Sequence, residues 1–399
     1  MPTHSVLPKI LRALRSLNPT TFLVDTPNPG AQIITVGDDK HYIININTFN
    51  SMDANFYNIP TERVPDALSL MAGGNAARVA AMALPIPDNI GRPFTPLADI
   101  AVVIDGVRLV TLLRSLKHRF SVEKGYGRGN LSYVLLQQSD DGMACHAVTT
   151  NGHGLIAHTV VGVEPVLAAD VLYATAISNE MCDCIGAIMT LATPLEMQID
   201  TENNFELTFF STEGDTITIR SALRSSAVRG FPTWRAVMPA PEEEAEEASQ
   251  YVQLIRTMGS LKKHLKGAEV TSLSVLAERA AALICAGEDD AEVRHVIGLA
   301  DECTPGEFAS LVNAAAGTPD LIRNVQHLST EYMMIAARML AELYPENAAT
   351  VGCTTRSLKP LVLTAHNEEQ YASATLLIMP RRRSGAVTFT QGLYGITLN

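Results

Sequence analysis

Cys145, His146, His153 and His158 fall close together in the sequence, and these residue types can ligate zinc or activate a thiol. The stretch around them alternates as a strand does, so successive side chains point to opposite faces and the four groups are dispersed. Core or surface histidines describe them better than a metal or thiol site. Gly125-Tyr-Gly-Arg-Gly129 is glycine-rich like a phosphate-cradling loop, but it lacks the flanking strand and helix and the Lys-Ser/Thr pair. Cys182-Asp-Cys184 is a lone close pair, while Cys285, Cys303 and Cys353 are scattered, which is not the spacing of a zinc site. No catalytic residue, metal or cofactor is expected. The cysteines read as the reduced structural thiols of a cytoplasmic protein.

Binding chemistry is better represented than bond-making chemistry. Lys9, Arg12 and Arg15 recur every third residue on one side of a predicted helix over Leu7 to Leu17, and Ile10, Leu11, Leu14 and Leu17 form its apolar side. A second predicted helix carries Val107, Leu109, Val110, Leu112, Leu113 and Leu116, with Arg114, Lys117 and His118 about one turn apart and Arg119 following. Lys262, Lys263 and Lys266 form a third basic group. The net charge of −12 excludes a protein that grips nucleic acid over its whole surface, so any phosphate contact must be local to such stripes. The first twenty residues have no apolar signal core, and no segment offers the ~20 apolar residues of a membrane span.

The elements that would hold these groups follow from periodicity. With 399 residues the chain is long enough for two or three cores. Gln32 to Val36 and His41 to Phe49 read as strands joined at Gly37-Asp38-Asp39, with Tyr42, Ile44 and Ile46 on one face. Residues 63–98, rich in Ala, Gly and Pro, read as a connector with one short helix. From 99 to 240 a unit of helix plus strands is taken twice. Its first half has strands at Leu131 to Gln137 and Met143 to Thr149. The second has a helix predicted over Val166 to Ile177 and strands at Leu195 to Asp200, Asn204 to Phe210 and Asp215 to Ser221. Glu242-Glu-Glu-Ala-Glu-Glu247 marks a composition boundary. The Ala- and Leu-rich block after it predicts helix to about 345, and strands resume at Ala349 to Thr355, Pro360 to Ala365 and Ser373 to Pro380.

Three separated stretches carry a resemblance: Ala147-Val-Thr-Thr-Asn-Gly-His-Gly-Leu-Ile-Ala157, Phe231-Pro-Thr-Trp-Arg-Ala-Val-Met-Pro239 and Ala374-Thr-Leu-Leu-Ile-Met-Pro380. In this order they resemble the β sliding clamp of bacterial DNA polymerase, in which they meet around one surface pocket. The resemblance covers roughly two thirds of the chain. It implies an α+β fold of clamp domains built from helix-plus-antiparallel-sheet halves. On this reading 1–62 is the second half of a first clamp domain, 63–98 a connector and 99–240 a complete domain. Residues 241–321 are a helical insertion, and 322–399 are the second half of a third domain plus a C-terminal tail.

The resemblance further implies a non-enzymatic processivity factor: a ring, with a homodimer favoured, that encircles duplex DNA without reading its sequence and tethers the replicative polymerase. The DNA-facing residues would be Lys9, Arg12, Arg15, Arg114, Lys117, Arg119, Lys262, Lys263 and Lys266. The polymerase and the clamp loader would insert a Gln-Leu-x-Leu-Phe-like peptide into a pocket of Leu131, Thr150, Gly152, His153, Leu155, Pro232, Val237, Leu377, Met379 and Arg382. Asn151 stands where the pattern has an acid, Gly154 where it has Arg, and Arg381 where a second Met would line the pocket. Beyond the usual family end, Gln391, Leu393 and Tyr394 faintly echo the partner peptide, in a tail that would occupy its own or a neighbour's pocket; a terminal strand is the better reading. A clamp-derived adaptor that binds replication partners without encircling DNA is the competing reading, as is simple core packing for each apolar residue taken alone.

Overall fold

The computed structural model describes strands within 21–60, parts of 63–84, and the stretches 99–120, 129–165, 173–221 and 226–238 apart from single turns; it further describes strands within 270–299 and most of 322–344 and 350–379. The chain divides into two units: Met1–Lys117, Gly125–Ala147 and Val160–Phe231 make the first, and His118–Lys124, Val148–Thr159 and Pro232–Asn399 the second. The predicted basic helix at Leu7 to Leu17 lies outside the described residues. Among those that are described, no helix is long and apolar enough to cross a membrane.

The first unit opens with β1 (Thr21–Asp25), β2 (Ala31–Gly37), β3 (Lys40–Asn47), β4 (Phe56–Pro60) and a short helix, α1 (Ala76–Ala80), inside the predicted connector. Next come β5 (Ile100–Asp105), α2 (Gly106–Ser115), β6 (Tyr133–Gln138), β7 (Ala144–Thr150), β8 (Gly154–Val161) and β9 (Glu164–Pro165). Then the pattern repeats with β10 (Ala174–Ser178), α3 (Asn179–Ile188), β11 (Ala192–Asp200), β12 (Phe205–Ser211) and β13 (Thr216–Ser221). One antiparallel sheet runs β4-β1-β2-β3-β13-β12-β11-β5-β9. The predicted hairpin joins β2 to β3, and the register sets Ile44 opposite Ile219 and Ile46 opposite Ile217.

Helices α2 and α3 each begin on the last residue of a strand. Asp105 ends β5 and caps α2, its Oδ1 accepting from the N–H of Val107 and of Arg108 at 2.9 and 3.1 Å. Ser178 ends β10 and caps α3 through the N–H of Met181 at 3.2 Å. These caps satisfy donors that a helix start otherwise leaves open. Immediately after the Asp105 cap, the backbone of Gly106 lies against β11: a Cβ there would stand 2.2 Å from the Pro194 carbonyl oxygen. Phe205, Leu207 and Phe209 of β12 alternate into the core with Met197 and Ile199 of β11 and Ile217 and Ile219 of β13, all essentially inaccessible. Leu109, Leu112 and Leu113 of α2 and Met181, Ile185 and Ile188 of α3 are buried at helical spacing.

The structure corrects the second predicted helix. Ala174–Ser178 is a strand paired antiparallel with β6, and the helix follows at Asn179–Ile188. All five residues of β10 are buried, so it has no polar face from which its period could be read.

The second unit contains β14 (Val270–Leu276), β15 (Ala280–Ala286), β16 (Glu292–Leu299) and β17 (Ile322–Ser329), then α4 (Thr330–Leu343), β18 (Thr350–Thr354), β19 (Leu361–Asn367) and β20 (Ala372–Ile378). The first four form an antiparallel sheet in the order β16-β15-β14-β17. This overturns the helical insertion predicted over 241–321, as far as 270–299 is concerned. The Ala-rich run at 280–286 favours helix in isolation, but pairing on both sides prevails over propensity. Glu292–Leu299 carries no regular alternation either, because its pairing with β15 shifts register between Val296 and Gly298.

Residues 148–150 of β7 and 154–159 of β8 fall in this unit, and β8 is followed in sheet order by β20, β19 and β18. Met333, Ala336, Leu340 and Leu343 of α4 pack on Leu361, Leu363 and Ala365 of β19 and on Ala374, Leu376 and Ile378 of β20. His158 is inaccessible within the unit; its Nδ1 lies 2.8 Å from the Tyr344 hydroxyl, and burial, helped by the nearby His118, pushes its pKa down to about 3.

Phe209→Ala should cost about 3–5 kcal/mol in chemical denaturation, the range for emptying a filled aromatic site. Gly106→Ala should cost about 1–3 kcal/mol although it adds only a methyl group, because backbone oxygens must move. His158 titrates near ~6.5 in an unfolded chain, so between there and its folded value near 3 the unfolded chain binds more protons. Stability is therefore full above pH ~6.5 and falls as pH drops through that window. Denaturation of wild type and His158→Gln from pH 7.5 to 4.5 should show a shallower decline for the variant.

Candidate functional site

The resemblance's peptide site is built around the hairpin between β7 and β8. Thr150 Oγ1 donates to the Gly154 carbonyl at 2.7 Å and accepts from the Gly152 N–H at 3.2 Å. Asn151 Oδ1 accepts from the N–H of His153 and of Gly154, both at 3.0 Å, making an Asx turn. Gly152 has φ +89, a conformation that side chains disfavour. The turn therefore uses the Thr150 hydroxyl and the Asn151 Oδ1 locally and leaves Gly152 and His153 exposed.

Two departures from the family pattern have a structural reason. Asn151 Nδ2 donates to the Tyr332 hydroxyl at 2.7 Å, tying the hairpin to α4 through an amide donor that an ionised acid lacks. At Gly154 an added Cβ would meet the Phe120 ring at 2.8 Å, so Phe120 occupies the space that an Arg side chain would need. Phe120 in turn packs on Tyr332, with ring centroids 4.8 Å apart. Sequence reasoning missed Phe120 and Tyr332; the glycine at 154 was the signal that something bulky stands nearby.

The strand leading to the chain's end meets the same hairpin: the Met379 N–H donates to the His153 carbonyl at 2.9 Å. Met379 is 45% exposed, whereas Leu377 and Leu155 are buried. Trp234–Val237 forms a 3-10 turn in which Trp234 is buried and Val237 is 58% exposed, with the Arg235 guanidinium 5.3 Å from the Trp234 ring centroid. Pro232 is exposed beside it. The second unit thus holds Thr150, Gly152, His153, Leu155, Pro232, Val237, Leu377 and Met379, which supply an exposed apolar set of Pro232, Val237 and Met379. Leu131 is buried and belongs to the first unit, and Arg381 and Arg382 lie outside the described residues.

Of the basic candidates, Arg114 and Lys117 are exposed at the end of α2 and Arg119 is half-buried, while Lys9, Arg12, Arg15, Lys262, Lys263 and Lys266 lie outside the described residues. Arg338 was missed. Counted from the cap, Arg114 is the ninth residue after Asp105 and Arg338 the ninth after Ser329, and both are exposed. The equivalent position of α3 is Ala187, and that helix carries no Lys or Arg.

The other chemistry-bearing groups are spent on structure. Cys145, Cys182 and Cys184 are buried and form no disulfide, and burial pushes the Cys145 and Cys184 thiols up to about 12, away from nucleophilic use. His146 is half-buried, His153 exposed and His158 sealed against Tyr344, so the three do not share an environment.

No protein-family model and no curated protein sequence matches the chain. Solved structures do. The Helicobacter pylori β clamp bound to a DNA ligase peptide superposes with a TM-score of 0.56 at 12% identity, covering 94% of this chain and 98% of the clamp. The DNA polymerase III β subunit of Pseudomonas aeruginosa gives 0.59 at 10% identity over 95% and 98%. That of Thermotoga maritima gives 0.57 at 11% over 96% and 98%. The superpositions run along nearly the whole clamp chain, whereas the motifs alone covered about two thirds of this one and left two half-domains unassigned. The chain has the fold of the bacterial β sliding clamps.

Proposed function

We propose that this protein is a DNA sliding clamp, a ring that encircles duplex DNA and tethers a polymerase, with a surface site for the short peptides of its partners. The observation that carries the reading is the correspondence to clamp structures over 94–96% of this chain and 98% of theirs, at a length where a chance match of α+β units would break off. Such a device needs no catalytic group. It raises the local concentration of a tethered enzyme at the primer end, and its contacts with phosphate must be weak enough to slide.

The electrostatics fit a local phosphate contact. A chain with net charge −12 repels DNA over most of its surface, which favours a ring that is confined topologically over one that grips. Arg114 and Lys117 at the end of α2 and Arg338 within α4 are exposed cations that we assign to it. We assign the peptide site to exposed Val237, Met379 and Pro232 together with the Thr150–Gly154 hairpin, to which the Met379 N–H is bonded; Leu155 and Leu377 are buried. The Helicobacter pylori clamp binds a DNA ligase peptide, and a partner peptide is proposed for this chain by analogy.

The absence of Lys and Arg from α3 favours a second reading, an adaptor that keeps the fold and binds replication partners without enclosing DNA. The two differ in mass. A dimeric ring sediments at twice the 43.0 kDa chain, and an adaptor can be monomeric.

Val237→Asp with Met379→Asp should weaken a fluorescent Gln-Leu-x-Leu-Phe peptide by about tenfold or more without altering the melting curve, because both side chains are exposed. Undiminished binding would move the site elsewhere. Arg114→Glu with Arg338→Glu should shorten the tracts made by a clamp-dependent polymerase and leave peptide affinity unchanged; tracts of equal length would remove these two from the DNA contact.

A further inference from the structure

The peptide site proposed above has a candidate occupant in the same chain. Strand β20 ends at Ile378, and Met379 is pinned by its N–H to the His153 carbonyl, so the main chain leaves the sheet at the very hairpin that forms the site. Residues 380–399 follow it. Within them Gln391-Gly-Leu-Tyr-Gly395 sets an adjacent aliphatic and aromatic pair, Leu393 and Tyr394, shortly after a glutamine. That is the chemistry of a peptide that anchors two apolar side chains and presents an amide. The flanking Gly392 and Gly395 put no side chain in the way of a close backbone approach.

We propose that this C-terminal segment docks in cis on the exposed apolar surface of Val237, Met379 and Pro232, so that the protein carries its own competitor for partner peptides. The inference rests on the peptide-site reading of the preceding section.

Geometry and charge both favour the contact. Fourteen steps separate Met379 from Leu393, a reach of up to about 46 Å when extended. A segment rooted beside its target therefore returns to it with ample slack, at an effective concentration on the order of millimolar. Even a weak tail peptide is then substantially bound, and a partner must outcompete it. Arg381, Arg382 and Arg383 give the segment three basic side chains and no acidic one, on a chain whose total is −12, so long-range attraction also keeps the segment near the body. The pair of acidic substitutions used as a test leaves those arginines in place.

Three proteins decide the matter: the intact chain, Leu393→Asp with Tyr394→Asp, and Val237→Asp with Met379→Asp, each checked for an unchanged melting curve. The tail variant should bind the fluorescent Gln-Leu-x-Leu-Phe peptide about tenfold more tightly than the intact chain, at an affinity independent of protein concentration. A synthetic 385–399 peptide should bind the tail variant saturably and fail to bind the site variant. Trp234, the only tryptophan, lies in the turn that bears Val237, and its emission should differ between intact chain and tail variant. Equal affinities of the intact chain and the tail variant would overturn the proposal while leaving the peptide site standing. A gain that appears only at high protein concentration would overturn docking in cis and assign the tail to a second copy. If the probe peptide binds none of the three proteins, the peptide-site reading itself fails; the 385–399 peptide then decides docking, with no saturable binding overturning it as well.

Discussion

A strand that turns into a helix without a connecting loop is the constraint on which most of this structure rests. At Asp105 the same residue must finish β5, present its carboxylate to the N–H groups of Val107 and Arg108, and pair with the Arg108 side chain. The next residue must be glycine, because the helix starts against the carbonyls of Pro194 and Leu195. With no slack at the joint, the direction of the helix is fixed by the strand, and its apolar stripe is delivered to the core below the sheet. The joints at Ser178 and Ser329 repeat the arrangement with a hydroxyl in place of the carboxylate, and only Ser178 makes the side-chain cap bond. A clamp-like architecture follows from repeating that joint, since each copy produces one half-domain with a helix on one face of its strands.

The hairpin at 150–154, part of the proposed peptide site, shows how a surface turn is held on such a frame. Its polar side chains are satisfied within the turn, and its position is set by Phe120 and Tyr332, which fill the space beneath Gly154 and bond to Asn151. The surface groups are therefore carried by a rigid element, and the cost of ordering them is met by folding and not by binding. The unit's interior supplies the rigidity: α4 packs along β19 and β20, and His158 is held neutral beside Tyr344.

Much of the first unit was legible in the sequence because its strands are half-buried. Phe205, Leu207 and Phe209 alternate with Glu206 and Thr208, so pattern and burial coincide. Where that polarity contrast is absent the reading failed. Ala174–Ser178 is buried on both faces and looked helical, and the Ala-rich strand at 280–286 was taken for a helix because propensity speaks for the isolated segment and pairing does not. The candidate site divides in the same way. Thr150, Gly152, His153, Val237 and Met379 were legible as motif positions. Phe120 and Tyr332 were not, because what they do depends on contacts that spacing within one motif cannot reveal.

The central claim is topological, and the most direct test of it is retention on DNA of different topology. Protein bound to a nicked circular duplex would be passed through a sizing column in high salt, before and after the circle is cut once at a site remote from the protein. A ring predicts that protein stays with the circle despite the salt and is lost when the DNA becomes linear. Equal retention on circle and linear DNA, or release from both by salt alone, would contradict enclosure and leave a clamp-fold protein that works by surface contacts only.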